Sequence, residues 1–188
     1  GNVYYDDTNI LAYNKSLWQE RMTAIFQDYS IYNISIADNV FIGNIRGDKD
    51  DVEIEEALEK AEFSHVFARK DSLIGREFGG IDLSVGERQK IASARAYYNK
   101  MAEVMIIDEP TSALDPIAEQ KLYKSFIDNA KDKTLFIITH RLSSVKIADR
   151  IIVMDSSQIV EEGTHAELLK RNGLYCSMYK KQAGLYDR

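Results

Sequence analysis

Val104-Met105-Ile106-Ile107-Asp108-Glu109-Pro110 is an apolar run with no polar alternation, closed by two acids and a proline. A short run of this kind fits a strand buried on both faces, as in a parallel sheet. A second run, Leu135-Phe136-Ile137-Ile138, ends in Thr139-His140-Arg141 and reads as a second buried strand. Residues 117–130 lie between them, with Ala118, Leu122 and Phe126 on one helical stripe. Strand, helix and strand in that order predict a parallel α/β layer.

Upstream, residues 86–99 read as a helix with small packing residues Ala92, Ala94 and Ala96. Ile54, Ala57, Leu58 and Ala61 keep the i, i+3, i+4, i+7 rule, which predicts an amphipathic helix over 52–62, with Asp51 as its cap. Val3-Tyr4-Tyr5 and Thr23-Ala24-Ile25-Phe26 read as strands without a long helix between them. Downstream, Ser143 to Ala148 predicts a short helix. Ile151–Met154 and Gln158–Val160 predict a strand pair around the turn Asp155-Ser156-Ser157. Thr164-His165-Ala166-Glu167 is a capping box that starts a helix ending near Gly173.

The 188 residues, 45% apolar and 29% charged, have a globular composition. With 24 Lys+Arg against 30 Asp+Glu the net charge is −6, the wrong sign for the basic footprint of a nucleic-acid binder, so no nucleic-acid partner is expected. The single cysteine, Cys176, excludes an internal disulfide and a cysteine zinc cluster, and fits a reducing compartment. No apolar run approaches the ~20 residues of a membrane helix, and Gly1-Asn2-Val3-Tyr4-Tyr5-Asp6-Asp7 has no signal-peptide pattern. The expectation is a soluble chain, or one lying beside a membrane.

The chemistry sits at the strand ends. In open parallel sheets ligands lie outside the carboxyl ends of the strands. A hard carboxylate such as Asp108 suits Mg²⁺ there, and Glu109 beside it can polarise a water for attack on a phosphoryl group. The alternative is that Asp108 caps the following turn and Glu109 is solvated. His140, just past the next strand, is placed at the same sheet edge. Leu83-Ser84-Val85-Gly86-Glu87-Arg88-Gln89-Lys90 precedes a helix, where Ser84 and the Gly86 backbone could bind an anion. The alternative there is an ordinary serine N-cap.

Taken in order, these residues resemble the nucleotide-binding domain of ABC ATPases. Phe26-Gln27-Asp28 resembles the Q-loop and Leu83-Ser84-Val85-Gly86-Glu87 the LSGGQ signature. Val104–Glu109 resembles the Walker B strand with its glutamate, Ser112-Ala113-Leu114-Asp115 the D-loop, and Thr139-His140 the H-loop. All five stand in the family's order across nearly the whole chain. The implied fold is a P-loop NTPase (RecA-like) parallel sheet with a helical insertion and an N-terminal antiparallel β part. It divides into a β part over 1–28, a mostly helical part over 29–100, and the core and tail over 101–188. The resemblance also implies ATP and Mg²⁺ as ligands and a set of roles. Asp108 and Gln27 would hold the metal, Glu109 would orient or deprotonate the attacking water, and His140 would contact the γ-phosphate. Ser84 and Gly86 would complete the ATP site of a second ATPase domain, head to tail, with Asp115 at that interface.

Three features bear on activity. The P-loop pattern G-x-x-x-x-G-K-[ST] occurs nowhere; Lys15-Ser16, Lys124-Ser125 and Lys133-Thr134 lack the preceding glycine. The expectation is therefore a fragment without Walker A and its strand, inactive alone and prone to expose apolar sheet. Val85 and Glu87 stand where the family usually has glycine and glutamine. Glu109, in contrast, is retained.

Several segments resemble the exporter branch of the family. They are Ser35-Ile36-Ala37-Asp38-Asn39-Val40, Glu77-Phe78-Gly79-Gly80, and the tail Ile159-Val160-Glu161-Glu162-Gly163-Thr164-His165-Ala166-Glu167-Leu168-Leu169. That resemblance implies a domain at the cytoplasmic face of the cell membrane, beneath a transmembrane domain. The aromatics near 26–42 would receive the transmembrane domain or simply pack the core. The alternatives are a weakened regulatory subunit of a heterodimer and a soluble ABC ATPase outside transport.

Overall fold

The computed structural model describes residues 1–110, 116–142 and 145–186, with backbone alone for residues 78, 116–118 and 183–186. It divides into two compact units, Gly1–Ile138 and Thr139–Arg188.

The first unit is built on three parallel strands: β3 (Met22–Ile25), β4 (Val104–Asp108) and β5 (Thr134–Ile138), in the order β3-β4-β5. Tyr4–Tyr5 (β1) and Thr8–Asn9 (β2) form a small antiparallel ladder ahead of them, followed by the short helix α1 (Lys15–Glu20). Register aligns Ile25 with Ile107 and Ile107 with Ile137. One sheet face therefore carries Ile25, Met105, Ile107, Leu135 and Ile137 into the core, as the two-residue period requires.

Helices α2 (Ile36–Phe41), α3 (Asp51–Lys60), α4 (Val85–Tyr98) and α5 (Pro116–Asn129) complete that core. Ile36, Val40, Ile54, Leu58, Phe63, Ile91 and Phe126 are fully buried in it. Helix α3 is capped by Asp50, whose carboxylate accepts from the Val52 and Glu53 N–H groups at 2.8 and 3.1 Å. The expected cap, Asp51, is instead the first helical residue. Either acid suits the positive end of the helix, and only the backbone decides between them.

The expectation that β5 is buried on both faces is overturned. Phe136 and Ile138 are 52% and 51% exposed, while Leu135 and Ile137 pack inward. The run is apolar on both faces, so its composition could not show that only one is covered among the described residues. Residues 143 and 144 of the helix expected over 143–148 lie outside the described residues. Val145–Ile147 is a 3₁₀ turn.

The second unit pairs β6 (Ile151–Asp155) with β7 (Gln158–Gly163) in an antiparallel hairpin. Its turn residues Ser156 and Ser157 both take left-handed φ, 49° and 63°, the geometry a two-residue hairpin needs. Thr164 caps α6 (His165–Arg171) in the expected box with Glu167. That helix ends on left-handed Asn172, one residue before Gly173. Leu142, Ile151, Val153, Leu168 and Tyr175, the last from α7 (Leu174–Tyr186), form this unit's own core. Among the described residues no helix is long and apolar enough to cross a membrane.

Candidate functional site

Parallel pairing brings the carboxyl ends of β3 and β4 to one rim. Ile25 is the last paired residue of β3, opposite Ile107, and the chain turns at Gln27-Asp28 just beyond it. Asp108 ends β4 and is half-buried; Glu109 follows it at once. Gln27, Asp108 and Glu109 thus leave neighbouring strands at the same end of the sheet.

The backbone at Glu109 is unusual. Its φ is 42°, a left-handed conformation that costs a glutamate about 1 kcal/mol or more. Its N–H donates to the Ile138 carbonyl at 3.0 Å, so the turn is locked to the end of β5. Residues held this way concentrate at functional sites.

The signature segment begins α4, in the same unit. Ser84 is the N-cap, the outcome expected of an ordinary capping serine. Its Oγ accepts from the Glu87 N–H at 3.3 Å and donates to Glu87 Oε2 at 2.8 Å, and the Ser84 N–H donates to the same carboxylate oxygen at 2.8 Å. These bonds hold the Glu87 carboxyl below the usual range, with His65 and Arg69 adding to the effect. Val85 projects into solvent, 63% exposed. A Cβ added to Gly86 would meet nothing within 4 Å. Neither its φ nor its internal packing requires glycine there, although glycine weakens a helix. The absence of a side chain leaves room for something outside the chain.

Three residues that the sequence pattern did not reveal tie α4 to the rim and to the segment after Gln27. The Gln89 side chain, 5% exposed, donates to the Pro110 carbonyl at 2.7 Å, gripping the turn just beyond Glu109. Tyr29 donates its phenol to the Val85 carbonyl at 3.3 Å. Arg95 donates to the Asn39 and Ser30 carbonyls at 2.9 and 3.0 Å and to Asn39 Oδ1 at 3.0 Å, with Tyr32 stacked against its guanidinium. Asn39 itself is fully buried and exchanges two hydrogen bonds with the Tyr32 backbone, each 3.0 Å. The motif Ser35–Val40 is thereby explained locally: Ser35 caps α2 and Asn39 holds the preceding loop. Arg95 and Gln89 left no periodic signal because their partners, mostly backbone carbonyls, lie far away in sequence.

His140 belongs to the second unit and follows Ile138 by two residues. It is exposed, and its carbonyl accepts from the Gln182 side chain at 2.6 Å. Asp115 lies outside the described residues. Among the described residues no cluster of three or more His, Cys, Asp or Glu could hold a metal. Asp108 and Gln27 offer one carboxylate and one amide oxygen, a partial donor set. That fits a hard cation such as Mg²⁺ which keeps waters and takes phosphate oxygens as further ligands.

Comparison with known proteins places these features in a family. Residues 1–112 match the family described as ABC transporter. The chain is 40% identical over 186 residues to the subtilin transport ATP-binding protein SpaT of Bacillus subtilis, covering 96% of this chain and 30% of that protein. It is 36% identical over 186 residues to the ATP-dependent lipid A-core flippase of Acinetobacter baylyi, covering 96% of this chain and 32% of that one. Among solved structures, a bacterial Atm1-family ABC exporter with ATP bound superposes with a TM-score of 0.83 at 29% identity, over 97% of this chain and 32% of that chain. The chain thus spans about a third of the length of these relatives. With more than half of its residues matched, from the β1–β2 ladder through the Gln27 turn to the acids that end β4, this chain belongs to the ABC transporter family.

Proposed function

We propose that the chain is the ATP-binding and ATP-hydrolysing domain of an ABC exporter, coupling head-to-tail pairing around ATP to transport across a membrane. The observation that carries this reading is the shared rim. Adjacent parallel strands deliver Gln27, Asp108 and Glu109 to one end of the sheet, with Glu109 held on a left-handed backbone. The exporter relatives support the same assignment.

In this reading Glu109 orients the attacking water and takes its proton, with the strained turn fixing its position. Asp108 and Gln27 would hold Mg²⁺, which supplies charge neutralisation at the phosphate oxygens when bound. His140 contacts the γ-phosphate. Ser84 and Gly86 present donors at the start of α4 to ATP held by a second ATPase domain, and Asp115 lies at that interface. Gly86, with open space where a side chain would stand, supports close approach by an outside ligand. The partners are that second domain and a transmembrane domain, at the cytoplasmic face of the cell membrane. The 188 residues contain no P-loop pattern and by themselves turn over no ATP.

The test is Glu109→Gln in the full-length protein. It is expected to retain bound ATP and lose turnover; normal turnover would remove Glu109 from its role. A second reading, a regulatory subunit with a weakened signature, draws on the exposed Val85 side chain at the start of α4. It predicts weak turnover even with Glu109 intact.

A further inference from the structure

The start of α4 is already satisfied by an anion of its own chain. Ser84 has one hydroxyl proton and one amide proton, and both go to Oε2 of Glu87, each over 2.8 Å. The Glu87 side chain is half-buried against its own helix start, with His65 Nε2 3.9 Å from its other oxygen and Arg69 contributing further positive charge. This carboxylate is therefore charged throughout the physiological pH range. Around it the surface is open: Ser84 and Val85 are exposed, and nothing crowds Gly86.

A phosphate oxygen arriving at Ser84 needs the same two donors. One hydroxyl proton cannot serve two acceptors well, and two anions at hydrogen-bond distance from one serine repel each other. We propose that Glu87 is a positioning residue that keeps Ser84 turned inward, so that ATP-dependent pairing of two domains must first displace the Glu87 carboxylate. The signature thereby carries an internal competitor that sets the apparent ATP affinity. This rests on the ATPase reading above and deepens it.

Glu87→Gln separates the charge from the cap. The amide oxygen still accepts from Ser84, as in a glutamine capping box, but the repulsion of phosphate is gone. In the full-length protein, KM for MgATP is expected to fall about three- to ten-fold at low ionic strength, with kcat within about two-fold. The difference should shrink as KCl is raised, because exposed charges are screened. Glu87→Ala removes the charge together with the carboxylate half of the capping box, while the Ser84 Oγ still accepts from the backbone N–H of residue 87. It should share the fall in KM while lowering Tm by a few degrees at most, since the serine cap itself remains. A purely structural role predicts the same fall in Tm for Glu87→Ala but KM unchanged or raised in both variants. That result, or a KM difference independent of salt, overturns the proposal. The unsubstituted protein tells the two failures apart. Absence of MgATP turnover there sinks the ATPase reading and this proposal with it, whereas normal turnover with an unchanged KM in Glu87→Gln sinks this proposal alone.

Discussion

Two glutamates in one unit are treated in opposite ways. Glu109, at the end of β4, sits on a left-handed backbone that disfavours it. Glu87, in the first turn of α4, sits in a relaxed capping box that favours it. One residue costs stability where it stands and the other adds to it. Strain retained at Glu109 points to chemistry, since the fold alone would be better served by glycine. Stability gained at Glu87 points to architecture, and in the proposal above the same carboxylate opposes the nucleotide by occupying the Ser84 donors and repelling phosphate.

Substitution can break this contrast most sharply at Glu109. Glu109→Gly should cut ATP turnover in the full-length protein by about a thousandfold or more, yet raise stability by about 0.5–1 kcal/mol through relief of the left-handed backbone. A steady-state ATPase assay with a denaturant titration checks both, and a loss of stability would show that the backbone there is not strained. Next in size is the brace behind the signature. Arg95→Met removes three hydrogen bonds to the 30–39 loop and should destabilise by about 3 kcal/mol in urea unfolding. Gln89→Leu strands the Pro110 carbonyl in a buried place and should cost about 1–2 kcal/mol. It should also lower kcat more than KM, because the turn carrying Glu109 loosens.

The pH response sharpens the comparison at smaller scale. The Glu87 carboxyl is held low in the folded chain, so its contribution is present above the unfolded glutamate range and is lost as pH falls through the folded value. As pH falls below the free glutamate value of about 4.3, the protein should lose Tm faster than Glu87→Gln does. Parallel curves would deny the cap its charge dependence. Val85→Gly should raise ATPase activity several-fold if the exposed valine crowds the approaching phosphates, and an unchanged rate discards that idea.

The order of motifs was readable because each has its own residue types at its own spacing. The β4 strand, the helices over 86–99 and 117–130, the hairpin and the Thr164 box all follow from local pattern. The one-sided burial of β5 among the described residues does not, because Phe136 and Ile138 are as apolar as Leu135 and Ile137, and covering is decided by neighbours. At Ser84, cap and anion site share the same residue types, so sequence left both open. Gln89, Tyr29 and Arg95 were silent for another reason: each reaches a main-chain carbonyl, and carbonyls carry no sequence.

Gly86 has one more consequence. It sits between the cap and its partner, in the turn most prone to fray, and a glycine there loosens the helix by about 0.5–1 kcal/mol against alanine. The Ser84–Glu87 box is then the splint beside a weak joint. With the weak joint repaired the splint matters less, so Glu87→Ala should harm a Gly86→Ala helix less than it harms the natural one.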